Sequence, residues 1–413
     1  MLFSPLRSTV ALAVGASLLF FGLGCPRDST EKAEEDEKET VASVKPEETK
    51  KDAPAQPSLE TKETTRAVSP MRVAGVKAKL DRHLRRWALR SPENTWALIH
   101  ALLVYPKDLE LPGHDISLVD AVLSMATTVE VGGRTVPTFT GRAQDGTPRE
   151  PHANQVVMLL LLAGVELDYP FEADGKQFTV RDLVESALWR FEPPKDDGWE
   201  HEAWTLIALA HAGRHSRDPS FVNHKGQRFD GQDLVKRAAD HLNREMEFIE
   251  HARSTGAELQ KRREGVHSHP CGGLHLASAP AIWMIDTEVR EALLASMERA
   301  ATTLAWRAVA EHEIYEKARE EHPGHGLMVT AQEMKFYGHW LETMADIRNA
   351  GIEVDQESID KSIAFLVEAV ERLDGYGTFG RMEEIRQRRA QTYRDLIGDA
   401  AHALRGLRLW TED

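Results

Sequence analysis

The sequence predicts an all-α protein: an (α/α)6 toroid of six outer/inner helical hairpins with short β-hairpin connections. Three observations carry that expectation. Six apolar segments recur through residues 71–413 at intervals of roughly 50–70 residues, the mark of stacked supersecondary units. A more charged, amphipathic segment precedes each of them, as an outer helix would. The turns that join them repeat as well. An open α-solenoid of the same hairpins is the competing architecture.

The chain begins "MLFSPLRSTVALAVGASLLFFGLGC", with Arg7 before an apolar run over 10–23 and Cys25 at its end. The run is too short for a permanent membrane span and has the layout of a secretory signal. Its "GLGC" ending resembles a bacterial lipobox, with Gly22 where leucine is usual. The expectation is therefore a lipoprotein signal peptide over 1–25. Cys25 would be the lipidated mature N-terminus, and the protein would be exported and held in the bacterial cell envelope. An ordinary signal peptide ending in cysteine is the alternative. The chain has only two cysteines; with Cys25 lipidated, Cys271 has no partner for an internal disulfide.

Residues 26–70 are rich in Glu, Lys, Thr, Ala and Pro and contain no aromatic residue. They read as a disordered acidic tether, spanning about 35–40 Å on average. The net charge of −15 argues against nucleic acid as a partner. The expected partners are the membrane, through the N-terminal lipid, and a glycan or envelope protein.

From residue 71 onward the reading is a single domain. The apolar segments are 91–105, 151–164, 199–213, 271–285, 334–347 and 394–410. Amphipathic helices such as "VKAKLDRHLRRWAL", "VRDLVESALWRF" and "VREALLASMERAATTLAWRAV" stand before them. "FEADGKQFTVRDLV" (171–184) and "FVNHKGQRFDGQDLV" (221–235) share two phenylalanines about a glycine turn, and "VEVGGRTVPTF" (129–139) is a third hairpin signal. Asp182 and Asp233 fall at helix N-termini, where a carboxylate suits the dipole. The stretch "EHEIYEKAREEH" (311–322) reads as a solvated helix face.

"ALWRFEPPKDDGWEHEAWTLIALAHAG" (187–213) is similar to the repeat of the terpenoid-cyclase and protein-prenyltransferase α/α toroids, and "LDGYGTFG" (373–380) echoes its DG turn. The resemblance implies the toroid fold more than an activity. The chain has no DxDD acid. Prenyltransferases hold zinc with an Asp, a Cys two residues on and a later His. Carried over, this ligand set becomes His269, Cys271 and His339, with histidine in place of the aspartate.

Eighteen histidines are many for this length, and several stand at the starts of apolar segments. His100, His275, His339 and His402 each open an apolar run; such imidazoles can bind metal or move protons near pH 7. His100 and His402 read as hydrogen-bonded core residues. "HSHPCGGLH" (267–275) is the densest cluster. If a helix begins near Cys271, Cys271 and His275 share a face; Pro280 allows a start near Ser278 instead.

Three functions remain open. The first is an envelope lipoprotein whose toroid binds a partner or glycan. The second is a polysaccharide lyase or hydrolase with Asn154, His201, His275 and Tyr337 as catalytic groups. The third is a zinc enzyme on Cys271 and the nearby histidines.

Overall fold

The computed structural model describes residues 68–90, 94–142, 148–150, 152–194, 199, 202–213, 220–262, 264–285 and 288–412. The expected signal peptide with Cys25, nearly all of the expected tether, and His201 lie outside the described residues.

Among the described residues there are fourteen α-helices and three two-stranded hairpins. The described residues are mostly helical and form no sheet that could make a core. In chain order the first elements are α1 (Pro70–Trp87), α2 (Thr95–Ala101), α3 (Leu118–Leu123), β1 (Thr127–Val131) and β2 (Arg134–Thr138). Next come α4 (Gln155–Leu162), β3 (Pro170–Ala173), β4 (Lys176–Thr179), α5 (Val180–Arg190) and α6 (Glu202–Gly213). They are followed by β5 (Ser220–Val222), β6 (Arg228–Asp230), α7 (Gly231–Glu245), α8 (Glu247–Thr255), α9 (Leu274–Trp283) and α10 (Arg290–Glu321). The last are α11 (Gly326–Asn349), α12 (Gln356–Gly375), α13 (Met382–Arg388) and α14 (Ala390–Thr411). No described helix is long and apolar enough to cross a membrane.

The six apolar segments are α2, α4, α6, α9, α11 and α14. Helix α2 packs on α4, α4 on α6, α6 on α9, α9 on α11 and α11 on α14, and α14 also packs on α2. Burial follows composition. In α9, Leu274 and every residue from Leu276 to Trp283 are buried, as expected of a helix apolar all round. Trp204, Leu206 and Leu209 of α6 are buried, whereas Arg262 and Glu320 are exposed. By contrast α7 buries Leu234, Val235, Ala238, Ala239, His241 and Leu242 along one stripe and turns its charges outward.

Local chemistry sets the boundaries. Thr179 and Asp182 form a capping box at α5, with the Thr179 N–H donating to Asp182 Oδ2 at 2.7 Å. Asp233 lies in the first turn of α7. All three expected hairpins form, and two pair their phenylalanines directly: Phe171 with Phe178 and Phe221 with Phe229. Asp174 and Gly175 turn β3–β4 with φ of 48° and 75°, and Asp174 Oδ2 accepts the Thr128 N–H at 2.7 Å, tying this hairpin to β1–β2.

Two devices bring the apolar helices close. Indole N–H groups donate to carbonyls across helix pairs: Trp96 to Arg394 at 2.8 Å, Trp283 to Leu206 at 2.8 Å, and Trp410 to Leu341 at 2.8 Å. Glycines remove side chains where α11 crosses α14. A Cβ on Gly338 would lie 2.8 Å from Ala403 N, and one on Gly406 would lie 2.9 Å from Gly338 O.

Two expectations need correction. Helix α9 starts at Leu274 and carries Pro280 inside it, so it begins neither at Cys271 nor at Ser278. Residues 311–322 are not a wholly solvated face, because Glu311 is completely buried. It faces a fixed cation, Arg307, one helical turn earlier in α10.

Candidate metal centre

The turn before α9 is unusual. His269 is extended, and Cys271, Gly272 and Gly273 are then left-handed in succession, with φ of 53°, 65° and 75°. Glycine adopts this region freely; for Cys271 it costs about 1 kcal/mol or more. Arg307 holds the turn in place by donating Nη1–H to the Gly272 carbonyl at 2.7 Å. A Cβ at Gly272 would sit 2.7 Å from Arg307 Nη2 and would have to push the guanidinium aside, and its φ of 65° also favours glycine.

Arg307 is itself fixed. Its Nε and Nη2 donate to Glu311 Oε1 at 3.1 and 3.0 Å, and both residues are fully buried. Lys261 Nζ donates to Glu311 Oε2 at 3.2 Å, and His267 Nε2 lies 3.1 Å from Oε1. Burial pushes the Glu311 carboxyl upward, but Lys261 and Arg307 outweigh it and hold the group well below its usual range. The buried carboxylate is therefore ionised and compensated.

The left-handed turn delivers Cys271 to the histidines. One donor atom from each of Cys271, His275 and His339 lies within 4.8 Å of the others. His275 comes from the first turn of α9 and His339 from the middle of α11. The α11–α14 glycine crossing adds His402, whose ring centroid is 3.7 Å from that of His339. His100 of α2 stands 5.4 Å from His402, ring to ring. Glu342, one turn after His339, lies 2.7 Å from His402 Nδ1 and accepts Arg405 Nη1–H at 3.1 Å. His339, Glu342 and His402 form a second overlapping set of donors within 4.8 Å.

The electrostatics suit a cation. Burial lowers His100 and His275 to about 4. His339 and His402 fall well below the usual histidine value, chiefly through burial and also through neighbouring imidazoles. Four neutral imidazoles at pH 7 are four lone-pair donors. His339 Nδ1 is buried and makes no hydrogen bond among the described residues. Burial raises the Glu342 carboxyl, against the pull of Arg405. These groupings can hold a metal ion.

His275, Ser278, His339, Glu342, Asp346 and Arg405 are among the groups lining a cavity of about 30 Å³. It runs out to the half-buried Leu103 and Leu162. That volume holds a water or an ion.

The other expected site residues lie elsewhere. Asn154 is buried with φ of 61° at the start of α4; its Nδ2 donates to Thr205 Oγ1 at 2.9 Å, and its Oδ1 accepts from Arg190 at 3.2 Å. Tyr337 is fully buried and donates its hydroxyl to the Ala308 carbonyl at 2.7 Å. Neither lines the cavity. His269 stands with His241 and Glu245, so the donor grouped with Cys271 and His339 is His275. His100 and His402 are buried and hydrogen-bonded, and they also border the cluster.

Sequence reasoning missed Glu342, Arg307 and Glu311. A signal for Glu342 was its place three residues after His339. For Arg307 it was a lone charge inside "TTLAWRAV". No family model, curated protein or solved structure matches this chain.

Proposed function

We propose that this chain is a zinc-dependent enzyme whose metal is held by Cys271, His275 and His339. The observation that carries the reading is the convergence of these three donors, two of which, His275 and His339, line a small cavity of mixed polar and apolar character. Three protein ligands and one open position distinguish a catalytic zinc site from a closed structural one. When bound, zinc would activate water or polarise a carbonyl or phosphoryl oxygen. Glu342, whose carboxyl burial raises, stands beside the ligands as the group able to hold a proton at the cavity, with His402 Nδ1 2.7 Å away. Arg405 steadies Glu342, and Asp346 and Arg405 give the cavity its polar groups.

The order of helix contacts supports placing this centre inside a toroid. The succession α2, α4, α6, α9, α11, α14 returns to α2, as the inner ring of an (α/α)6 fold would. In this reading His100, His275, His339 and His402 belong to four of six inner helices. The N-terminal sequence supports export, with a lipid on Cys25 holding the toroid at the cell envelope.

The glycan-lyase and partner-binding readings have less support. Asn154 and Tyr337 stand away from the cavity and spend their polar atoms on structural hydrogen bonds. The test is metal analysis of the detergent-purified full chain, with hydrolysis of a panel of small esters and amides before and after chelation. One equivalent of zinc fewer in Cys271→Ser and in His339→Ala than in wild type, together with zinc-dependent turnover that both variants lose, is the expected result. A metal-free wild type would end the proposal.

A further inference from the structure

The same turn that delivers Cys271 delivers His269 to a different place. His241 and Glu245 are four residues apart on α7 and so share a face. His269 arrives opposite them in an extended conformation. His269 Nε2 lies 3.4 Å from Glu245 Oε2, His241 Nε2 lies 3.9 Å from Glu245 Oε1, and the two ring centroids are 5.6 Å apart. One donor atom from each residue falls within 4.8 Å of the other two. Both histidines are buried, while Glu245 is half-buried.

We propose that His241, Glu245 and His269 form a second divalent-metal site, separate from the Cys271 centre and of harder donor character. It would take a first-row transition cation such as Zn2+ or Co2+. Donors bonded tetrahedrally at about 2.1 Å stand roughly 3.4 Å apart. His269 Nε2 stands at this distance from Glu245 Oε2 and His241 Nε2 half an ångström beyond it from Oε1, so the carboxylate has only to turn to present one oxygen to both. Two imidazoles and one carboxylate are an ordinary zinc set, and lacking sulfur they also accept harder ions.

The surroundings favour a cation over a plain ion pair. Among the described residues no lysine or arginine pairs with the Glu245 carboxylate. The similar His312–Glu316–Glu333 grouping differs on this point. Arg319 donates to Glu333 and Glu316 at 2.6 Å each, and Arg372 reaches Glu316 at 2.8 Å, so its charge is already matched. Arg244 approaches His241 Nδ1 at 3.4 Å, on the ring edge opposite the Nε2 that faces Glu245; a metal at Nε2 requires the proton on Nδ1. The close seating of the loop is also built in. A Cβ at Gly265 would lie 2.8 Å from the Glu245 carbonyl oxygen, so glycine lets the histidine-bearing turn approach the end of α7.

The test loads the chelator-stripped full chain with Co2+ and measures both stoichiometry and absorption spectrum. Wild type should bind two equivalents, and only the Cys271 centre gives a thiolate-to-cobalt charge-transfer band. Cys271→Ser should lose that band and keep one equivalent. Glu245→Gln, His241→Ala and His269→Gln should each lose one equivalent and keep the band. Glu245→Gln preserves shape, so its thermal melt serves as the folding control. Unchanged stoichiometry in Glu245→Gln and His269→Gln would overturn the second site with the first intact. Loss of the band from wild type, with one equivalent that depends on Glu245, would overturn the Cys271 centre and uphold this one.

Discussion

Replacing Gly338 with alanine should injure the metal centre without touching a ligand. The new Cβ would lie 2.8 Å from Ala403 N and 3.1 Å from both Ala403 Cα and the His402 carbonyl carbon. These are backbone atoms, and no rotamer can move them aside. Ordinary contact begins near 3.4 Å, so α11 and α14 must part by about 0.6 Å. Overpacking of this kind costs about 1–3 kcal/mol. It also separates the next residue, His339, from His402, whose rings are 3.7 Å apart. A disturbance of metal support on that scale lowers affinity about 10- to 100-fold. Urea denaturation followed by circular dichroism measures the first effect, and competition with a chromophoric zinc chelator measures the second. Gly75→Ala is the control, because nothing lies within 4 Å of a Cβ at that exposed helical position; it should stabilise by about 0.5–1 kcal/mol. Wild-type stability and zinc affinity in Gly338→Ala would show that the α11–α14 crossing does not set the spacing of His339 and His402.

Three other outcomes follow from the same geometry. Arg307→Met removes the bond to the Gly272 carbonyl and leaves the buried Glu311 with less compensation; urea melts should show a loss of about 3–5 kcal/mol, together with weaker zinc binding. Cys271→Gly relieves the left-handed strain, so the metal-free protein should keep or gain up to about 1 kcal/mol while the zinc equivalent that depends on Cys271 is lost. His83 is fully buried, and burial lowers it from 6.5 to about 4. The folded state therefore binds its proton more weakly than the unfolded chain. Its cost is absent above pH 6.5 and grows as pH falls to 4, reaching roughly 3 kcal/mol. His83→Leu should flatten that part of the pH–stability curve, measured by denaturant titration at pH 7.5 and 4.5.

The helical order was legible because it is periodic. Six segments apolar all round can only be buried; α2, α4, α6 and α9 lie within them, and α11 and α14 contain theirs and run on at both ends. The hairpins were legible from paired phenylalanines about Asp-Gly and Lys-Gly turns. The candidate site was legible in part. "HSHPCGGLH" marked the right turn, but its side chains go to three places: His267 to Glu311, His269 to Glu245, and Cys271 with His275 toward His339. Sequence spacing suggested a shared helical face for Cys271 and His275. Three left-handed residues and Arg307 bring them together instead, and that depends on a residue 36 positions downstream of Cys271. Glu342 and Glu311 sit in charged sequence that looks solvated, because burial of a carboxylate depends on the partner that meets it in space.

Zinc X-ray absorption on the purified full chain, compared between wild type and Cys271→Ser, tests the metal centre most directly. Wild type should hold zinc with a sulfur scatterer at about 2.3 Å beside nitrogen at about 2.0–2.1 Å, and the variant should lose the sulfur shell. Zinc bound without sulfur in wild type, or no zinc at all, would contradict the Cys271 centre.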